Sequence, residues 1–489
     1  SRALPTRWAP LGRHAAARAA AGALARRLST LPQSPQPSTL DVLTDFHDRH
    51  SRRRGKAPRV CDSAEEAIGP LLKSGCMVFV QGGAATPQVL IDGLIKAVKR
   101  RGLEGVRTIH MHLEGEGPLR PGDEEAAKRI SPIGVFVGPN LRRPIQEGTA
   151  EYMPIHLGEL PLLLRRRLVR PDLALLHVST PDRHGNCTLG VSVDWTRSAA
   201  EHSRALVGLV NPQMPRVFGD GAIHISQLDA IVHHDAPIFQ HRQEPLSREE
   251  LQIGQNIASL VPNGATLQMG IGRVPDAALG ALGGHRNLGV HSEMFSDGLL
   301  PLIESGAVDN SQKTSSRGVT TSSFVVGSER LYDWMHDNPT VQLLDVSYTN
   351  RISVIAAQNK MVGINSCIEM DLEGQAASSA VGQKIYSGFG GQVDFLRGAA
   401  ECPGGKAILA FTSRTKKGVP RIVEQLTPGA EVVTTSAVVQ YAVTEYGVAY
   451  LFGKTLPARS RELIRLAHPE DREELERAAH KRFGRAFLR

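Results

Sequence analysis

The sequence has no long hydrophobic run. No stretch of about 18 consecutive apolar residues occurs in its 489 residues, which excludes an ordinary helical membrane span. Cysteine is scarce, with five residues at 61, 76, 187, 367 and 402 and no C-x-x-C pair. An odd, scattered set argues against a disulfide framework and against a cysteine-based zinc site. Cys76 and Cys367 sit in apolar surroundings and read as core thiols. Acidic residues are missing from the N-terminal stretch. The first carboxylate is Asp41, whereas Arg2, Arg7, Arg13, Arg18, Arg26 and Arg27 precede it. Arginine interrupts every apolar stretch that could serve a secretory signal. The Ala/Leu/Arg-rich segment, followed by Ser and Pro, has the composition of a mitochondrial transit peptide. The expectation is a disordered leader over residues 1–38 and a mature protein in the mitochondrial matrix.

That leader accounts for most of the net charge of +8. Taking its six arginines from 57 basic residues leaves 51 against 49 acidic ones, a nearly neutral remainder that gives no sign of nucleic-acid binding. One basic cluster stands out, "RRRLVR" with Arg165, Arg166, Arg167 and Arg170 after "LPLLL". It reads as a solvated helix face, without the interleaved aromatics of a single-strand binder. "VHHDAP" (His233, His234, Asp235) has no partner cluster and reads as a loop rather than a metal site.

What is present is an internal echo. "CMVFVQGGAATPQVLIDGL" (76–94) and "GATLQMGIGRVPDAALGAL" (264–282) align Gly82 with Gly270 and Pro87 with Pro275 at an offset of 188 residues. Both read as a buried strand, a glycine loop and a helix with Pro near its first turn. Ser63-Ala64-Glu65-Glu66 and Ser247-Arg248-Glu249-Glu250 each announce a capped helix upstream. Downstream, each copy has a strand ending in His-x-Glu: "IHMHLEG" with Glu114 and "GVHSEMF" with Glu293. The repeat is the size of a domain. The chain therefore divides into the leader, an α/β domain over 39–235, a linker, and a second α/β domain over 245–489. Short apolar runs such as "DLALLHVS", "SFVVGS", "AILAFT" and "EVVTTSAVVQ" alternate with helical segments, which predicts mostly parallel sheets covered by helices. The charged segment "HPEDREELERAAHKRFGRAF" predicts a surface helix at the end.

Three stretches could carry chemistry. "QMGIG" (Gln268, Met269, Gly270, Ile271, Gly272) follows a strand and opens a helix, where backbone N–H groups approach anionic ligand atoms. It lacks the third glycine of G-x-G-x-x-G and the lysine of a P-loop, so alone it also fits a plain strand–helix turn. "YSGFGGQVDFLRGA" (386–399) packs Gly388, Gly390 and Gly391 around one aromatic, a density suited to a backbone lying flat against a ligand. Lys416 and Lys417 follow as candidate phosphate contacts. Third, Glu293 stands at a strand end, where a dehydrated carboxylate paired with backbone N–H donors could attack a carbonyl. Alone it also fits a solvated loop acid. Glu114, followed by further acids and Pro, reads as the structural relic of the pair. His291 reads as a packing or hydrogen-bonding neighbour.

"GVHSEMFSDG" together with "SGFGGQVDF" resembles the acetyl-CoA hydrolase/CoA-transferase family of class I CoA-transferases, the branch containing 4-hydroxybutyrate and acetate:succinate CoA-transferases. "PDRHGNCTLG" (181–190), "VNPQMPRVFGDGAIH" (210–224), "VSYTN" (346–350) and "VTEYGVAYLFGK" (443–454) extend the resemblance from about residue 40 to about 480 in the family's order. It implies two tandem homologous domains of CoA-transferase type. It also implies ping-pong transfer of CoA from a short acyl-CoA to a carboxylate acceptor. Glu293 would be the nucleophile, passing through an anhydride to a γ-glutamyl-CoA thioester. Met269 and Gly391 match the oxyanion-hole positions. Gln268 to Gly272, Gly388, Gly391 and Lys416 match CoA-contacting positions, with Lys417 as a substitute across a local insertion. Asn350 and Glu445 match polar residues that line the site. The expected partners are acyl-CoA and short carboxylates, with CoA as substrate, no metal, no nucleic acid and no membrane, and a homodimer as the modal assembly. A hydrolase on the same scaffold and a catalytically silent binding protein are the competing readings.

Overall fold

The computed structural model describes residues 57–241 and 244–488. The expected leader over 1–38 lies outside the described residues. Two eight-stranded sheets form the centre of the molecule, one built from residues 59–233 and the other from residues 266–450. The first is parallel throughout. Its strand Met77–Val80 lies between Leu173–Val178 and Val106–His110. Beyond Leu173–Val178 come Ala205–Val210 and Ala230–His233.

The second sheet repeats this winding. The strand Thr266–Met269 has Gly289–Val290 on one side and Val362–Asn365 on the other, followed by Lys406–Ala410 and Tyr441–Thr444. The echo in the sequence is thus one strand position in two copies of a sheet. The helix starts follow as well. Ser63 Oγ accepts from the Glu66 N–H, and Ser247 forms a reciprocal capping box with Glu250 ahead of the helix Arg248–Ala258. The strand Leu173–Val178 is buried along its whole length, as a strand covered on both faces must be.

Each half has a buried apolar cluster of its own, and a third, larger one spans both. The largest cluster of buried apolar residues runs from Met77 to Val443 and includes Trp195, which meets Phe79 edge-on at 4.9 Å. The short strand Phe218–Gly219 of the first half pairs with Val341–Leu343 of the second, and the N–H groups of Val193 and Asp194 both donate to the Ser323 carbonyl.

Two local expectations are corrected. The arginine cluster is not a helix face, because the helix Leu160–Arg165 ends at its first arginine and Arg167 adopts φ +57°. Arg165 instead reaches across to Asp345 at 2.8 Å and Ser347 at 2.9 Å. The run "EVVTTSAVVQ" is not a strand. It makes a single bridge at Thr434, whose hydroxyl accepts from Gln392, and the sheet strand begins only at Tyr441. The Thr434 hydroxyl is taken by the first residue of the helix Gln392–Glu401, and the run pairs no further than that one bridge. The predicted terminal helix is present as Pro469–Phe483. All five cysteines are free and buried. Among the described residues there is no metal-binding cluster of His, Cys, Asp and Glu, and no helix is long and apolar enough to cross a membrane.

Candidate active site

Glu293 occupies a reversal of the chain. The strand Gly289–Val290 runs parallel to Thr266–Met269, and the strand Met294–Phe295 then returns antiparallel to it, with Met294 opposite Met269. Glu293 lies between the two, so its backbone is held from both ends. Its carbonyl accepts from Ser323 N at 2.9 Å, Phe324 N at 3.3 Å and the Ser322 hydroxyl at 3.0 Å. Few positions of a loop are pinned in this way, and pinning fixes the direction of the carboxylate before any ligand arrives.

The carboxylate meets two donors. Asn350 Nδ2 donates to Glu293 Oε2 at 2.7 Å. The backbone N–H of Gly391 also faces it and stabilises its ionised form. Burial nevertheless dominates, and it pushes the pKa of Glu293 up to about 7, with Asp394 adding repulsion. Near neutral pH the carboxylate is then readily ionised yet poorly solvated, the condition for a strong oxygen nucleophile.

Gly391 has to be glycine for a reason visible at the site. A Cβ there would lie 1.8 Å from Glu293 Oε2 and 2.2 Å from Asn350 Nδ2. The rest of the glycine loop is clamped by the first half of the chain. Val137 N donates to Ser387 O at 3.0 Å and Leu157 N donates to Gly390 O at 2.9 Å. A Cβ at Gly388 would meet Phe136 at 3.1 Å, and His156 stacks edge-on against Phe389 at 5.5 Å. The site therefore lies where the two halves meet, with Glu293 from one and the support of the glycine loop beside it from the other.

The other residues singled out in the sequence separate into groups. Asn350 is brought into contact with Glu293, as the resemblance implies. Met269 is adjacent, but its N–H is donated to Ser292 Oγ at 3.2 Å, so it is not a free oxyanion donor; its strand end supports the turn instead. The Gln268 side chain is closed into a reciprocal pair with Asn365, at 2.9 and 3.3 Å. Gly270 to Gly272 form the open loop ahead of the helix Arg273–Gly280, with Ile271 exposed and Gly272 at φ +119°. Lys416 and Lys417 are exposed at the tip of a turn closed by the Arg414–Pro420 bridge. Glu445 does not offer its carboxylate to a ligand directly. It holds the base of that turn by accepting from Ser413 N at 2.9 Å and Ser413 Oγ at 2.5 Å.

His291 is buried and its Nε2–H donates to the Thr349 carbonyl at 2.8 Å. Burial keeps its pKa down at about 4, so the ring is neutral and packs behind Glu293. Sequence reasoning gave no role to Asp394 or to the segment His156–Gly158, yet both reach the site. Asp394 stands in the first turn of the helix Gln392–Glu401, three residues after Gly391, and that spacing was the available signal. For His156 and Gly158 the sequence offered none.

Comparison with known proteins agrees with this architecture. The acetyl-CoA hydrolase/transferase N-terminal domain matches residues 46–240, and the C-terminal domain of the same family matches residues 327–479. The chain is 48% identical to a succinyl-CoA:acetate/propanoyl-CoA:succinate CoA transferase of Fasciola hepatica, over 88% of this chain and 89% of that protein. It is 42% identical to a 4-hydroxybutyrate coenzyme A transferase of Clostridium kluyveri, over 86% of this chain and 97% of that protein. A solved 4-hydroxybutyrate CoA-transferase from Porphyromonas gingivalis superposes with a TM-score of 0.71 at 38% identity, covering 90% of this chain and all of that one. The chain thus belongs to the acetyl-CoA hydrolase/transferase family, as one of its CoA-transferases.

Proposed function

We propose that the protein moves CoA from a short acyl-CoA, acetyl-CoA foremost, to a carboxylate acceptor such as succinate or 4-hydroxybutyrate, through a thioester on Glu293. The observation that carries this reading is the half-buried Glu293 carboxylate under Asn350 and the Gly391 N–H, with its pKa raised to about 7. Glu293 Oε attacks the thioester carbonyl, the C–S bond breaks, and an acyl-glutamyl anhydride and CoA thiolate result. The thiolate then attacks the glutamyl carbonyl, and the acyl group leaves as its free carboxylate. The enzyme is left as the γ-glutamyl-CoA thioester. The acceptor carboxylate reverses both steps. A carboxyl is suited to this because it forms both an anhydride and a thioester, so the energy of the substrate thioester is conserved. Each attack creates an oxyanion, and one preorganised N–H such as that of Gly391 contributes about 3 kcal/mol to its stabilisation.

Two features support transfer over hydrolysis. The loop 388–391 is closed down by Phe136 and Leu157, which limits water around Glu293. The relatives at 42 and 48% identity bear transferase names. The leader composition supports action in the mitochondrial matrix, and a homodimer is the working assembly. The assay is acetyl-CoA with and without succinate. Succinyl-CoA should form only with succinate, and free CoA should stay negligible without it. Rapid CoA release in water alone would overturn transfer in favour of hydrolysis. Mass spectrometry of enzyme incubated with acyl-CoA should find CoA attached at Glu293; a Glu293→Ala protein that still turns over would refute the mechanism.

A further inference from the structure

Asp394 is buried, only 8% exposed, and does not hydrogen-bond Glu293 itself. Its Oδ2 accepts from Asn350 Nδ2 at 3.4 Å and from the backbone N–H of Gly158 at 3.4 Å. Asn350 Nδ2 is therefore shared between two carboxylates, at 2.7 Å to Glu293 and 3.4 Å to Asp394. On the other side of the amide, Asn350 Oδ1 accepts from the Thr349 hydroxyl at 3.1 Å, and that hydroxyl is bound in turn to Ser323 Oγ at 2.5 Å. Only one orientation of the amide satisfies this set, because a flipped amide would turn its oxygen toward two acceptor carboxylates. The contact with Gly158 is tight. A Cβ at that residue would lie 3.1 Å from Asp394 Oδ2 and 3.0 Å from Asn350 Cβ.

We propose that Asp394 is a positioning residue for the transfer reaction: it ties the Asn350 amide to the Gly158 turn of the first half and so holds the amide N–H on the Glu293 carboxylate. This rests on Glu293 being the nucleophile. The arrangement has an electrostatic side as well. Burial pushes the pKa of Asp394 up to about 6, so above that pH its carboxylate faces the Glu293 carboxylate through the shared amide, and this repulsion is relieved when Glu293 becomes a neutral anhydride or thioester. The charged and titratable groups acting on Asp394 from the adjoining turn are His156 and Glu159. Those acting on Glu293 are Asp394, with the Asn350 and Gly391 donors opposing it. Removing the Asp394 carboxylate takes away this repulsion but also frees the Asn350 amide, whose hydrogen bond outweighs the repulsion in holding Glu293 ionised, so loss of positioning raises the pKa of Glu293 and moves the acid limb of kcat/KM to higher pH.

The test is Asp394→Asn in the full chain, assayed with acetyl-CoA and succinate across pH 5 to 9 beside Glu293→Ala. The expected result is a fall in kcat of about 10- to 100-fold, with KM for acetyl-CoA changed no more than about threefold, and an acid limb shifted to higher pH. The thermal midpoint should stay near that of the parent. Gly158→Ala, which crowds the same pair without touching Glu293, should lower kcat in the same way. A parental kcat in both variants, or a fall in Asp394→Asn with the acid limb unmoved or shifted to lower pH, overturns the proposal. If Glu293→Ala retains turnover, the nucleophile assignment has failed. If Glu293→Ala is inactive and Asp394→Asn behaves as the parent, only the positioning role has failed.

Discussion

Glu114 and Glu293 end equivalent strands in two copies of one sheet, but the chain takes a different course beyond each of them. After Glu114 it runs out through Gly115 and Gly117 into a loop bearing Glu116, Arg120 and a capped surface helix. The Glu114 side chain is 41% exposed, and His112 Nε2 stands 4.0 Å away on an imidazole whose pKa burial lowers. After Glu293 the chain turns straight back into the sheet, and Ser322, Ser323 and Phe324 hold its carbonyl. A strand end is thus a property of the fold, present twice. A pinned backbone with a second segment delivering donors to the carboxylate is found at Glu293 and not at Glu114. The loop 388–391 belongs to the second half, but the first half clamps it. The half carrying Glu114 thus supports the loop that faces Glu293.

Exchanging the two glutamates for alanine tests this difference most severely. Glu293→Ala should lose about 10³-fold or more in kcat, whereas Glu114→Ala should stay within about threefold, as measured by acetyl-CoA-dependent formation of succinyl-CoA. Equal losses would mean that both copies work. Next is Gly391→Ala, which should approach the Glu293 variant, with about a 10²-fold loss and a preserved far-ultraviolet dichroism spectrum, because its methyl enters the space of Glu293 Oε2.

A third test uses pH. The folded Glu293 holds its proton up to about pH 7, against roughly 4.3 in an unfolded chain. The native state therefore binds more protons between these values, and stability falls as pH rises through that window. Glu293→Gln removes the deficit, which is up to about 4 kcal/mol. It should melt higher than the parent at pH 8 and near the parent at pH 4.5, with Glu114→Gln as the surface-carboxylate control. In the parent, kcat/KM should rise through about pH 7 as the nucleophile ionises. The smallest expected effect is at the exposed turn. Replacing Lys416 and Lys417 together by alanine should raise KM for acyl-CoA a few-fold, or about 1 kcal/mol, leave kcat nearly unchanged, and fade at high salt.

Much of the fold was legible in the sequence because its signals are local. Ser63 and Ser247 cap as their spacing indicates, since a cap is a contact between residues three apart. The buried strand and glycine loop of the echo are runs of consecutive residues, and they appear twice in place. The sequence failed where long-range partners outweigh local pattern. "RRRLVR" has helical spacing, yet Arg165 is drawn to Asp345, 180 residues away. "EVVTTSAVVQ" has strand composition, yet Thr434 is used by Gln392. In the site, Glu293, Gly391 and Asn350 could be picked out from motifs because each motif is short and continuous. The roles of Met269 and Glu445 could not, because they depend on which neighbour takes the hydrogen bond. Met269 gives its N–H to Ser292, and Glu445 braces Ser413.

The order of residues along the chain determined the duplication, the strand ends that carry Glu114 and Glu293, and the glycine loops able to approach a ligand. These follow from periodicity and from the backbone freedom of glycine, which act over a few residues at a time. Only the tertiary structure decided which glutamate is dehydrated and held by donors, and that Asp394, Asn350 and Gly158 converge beside it. Burial and convergence depend on segments up to about 240 residues apart meeting where the two sheets share one apolar cluster.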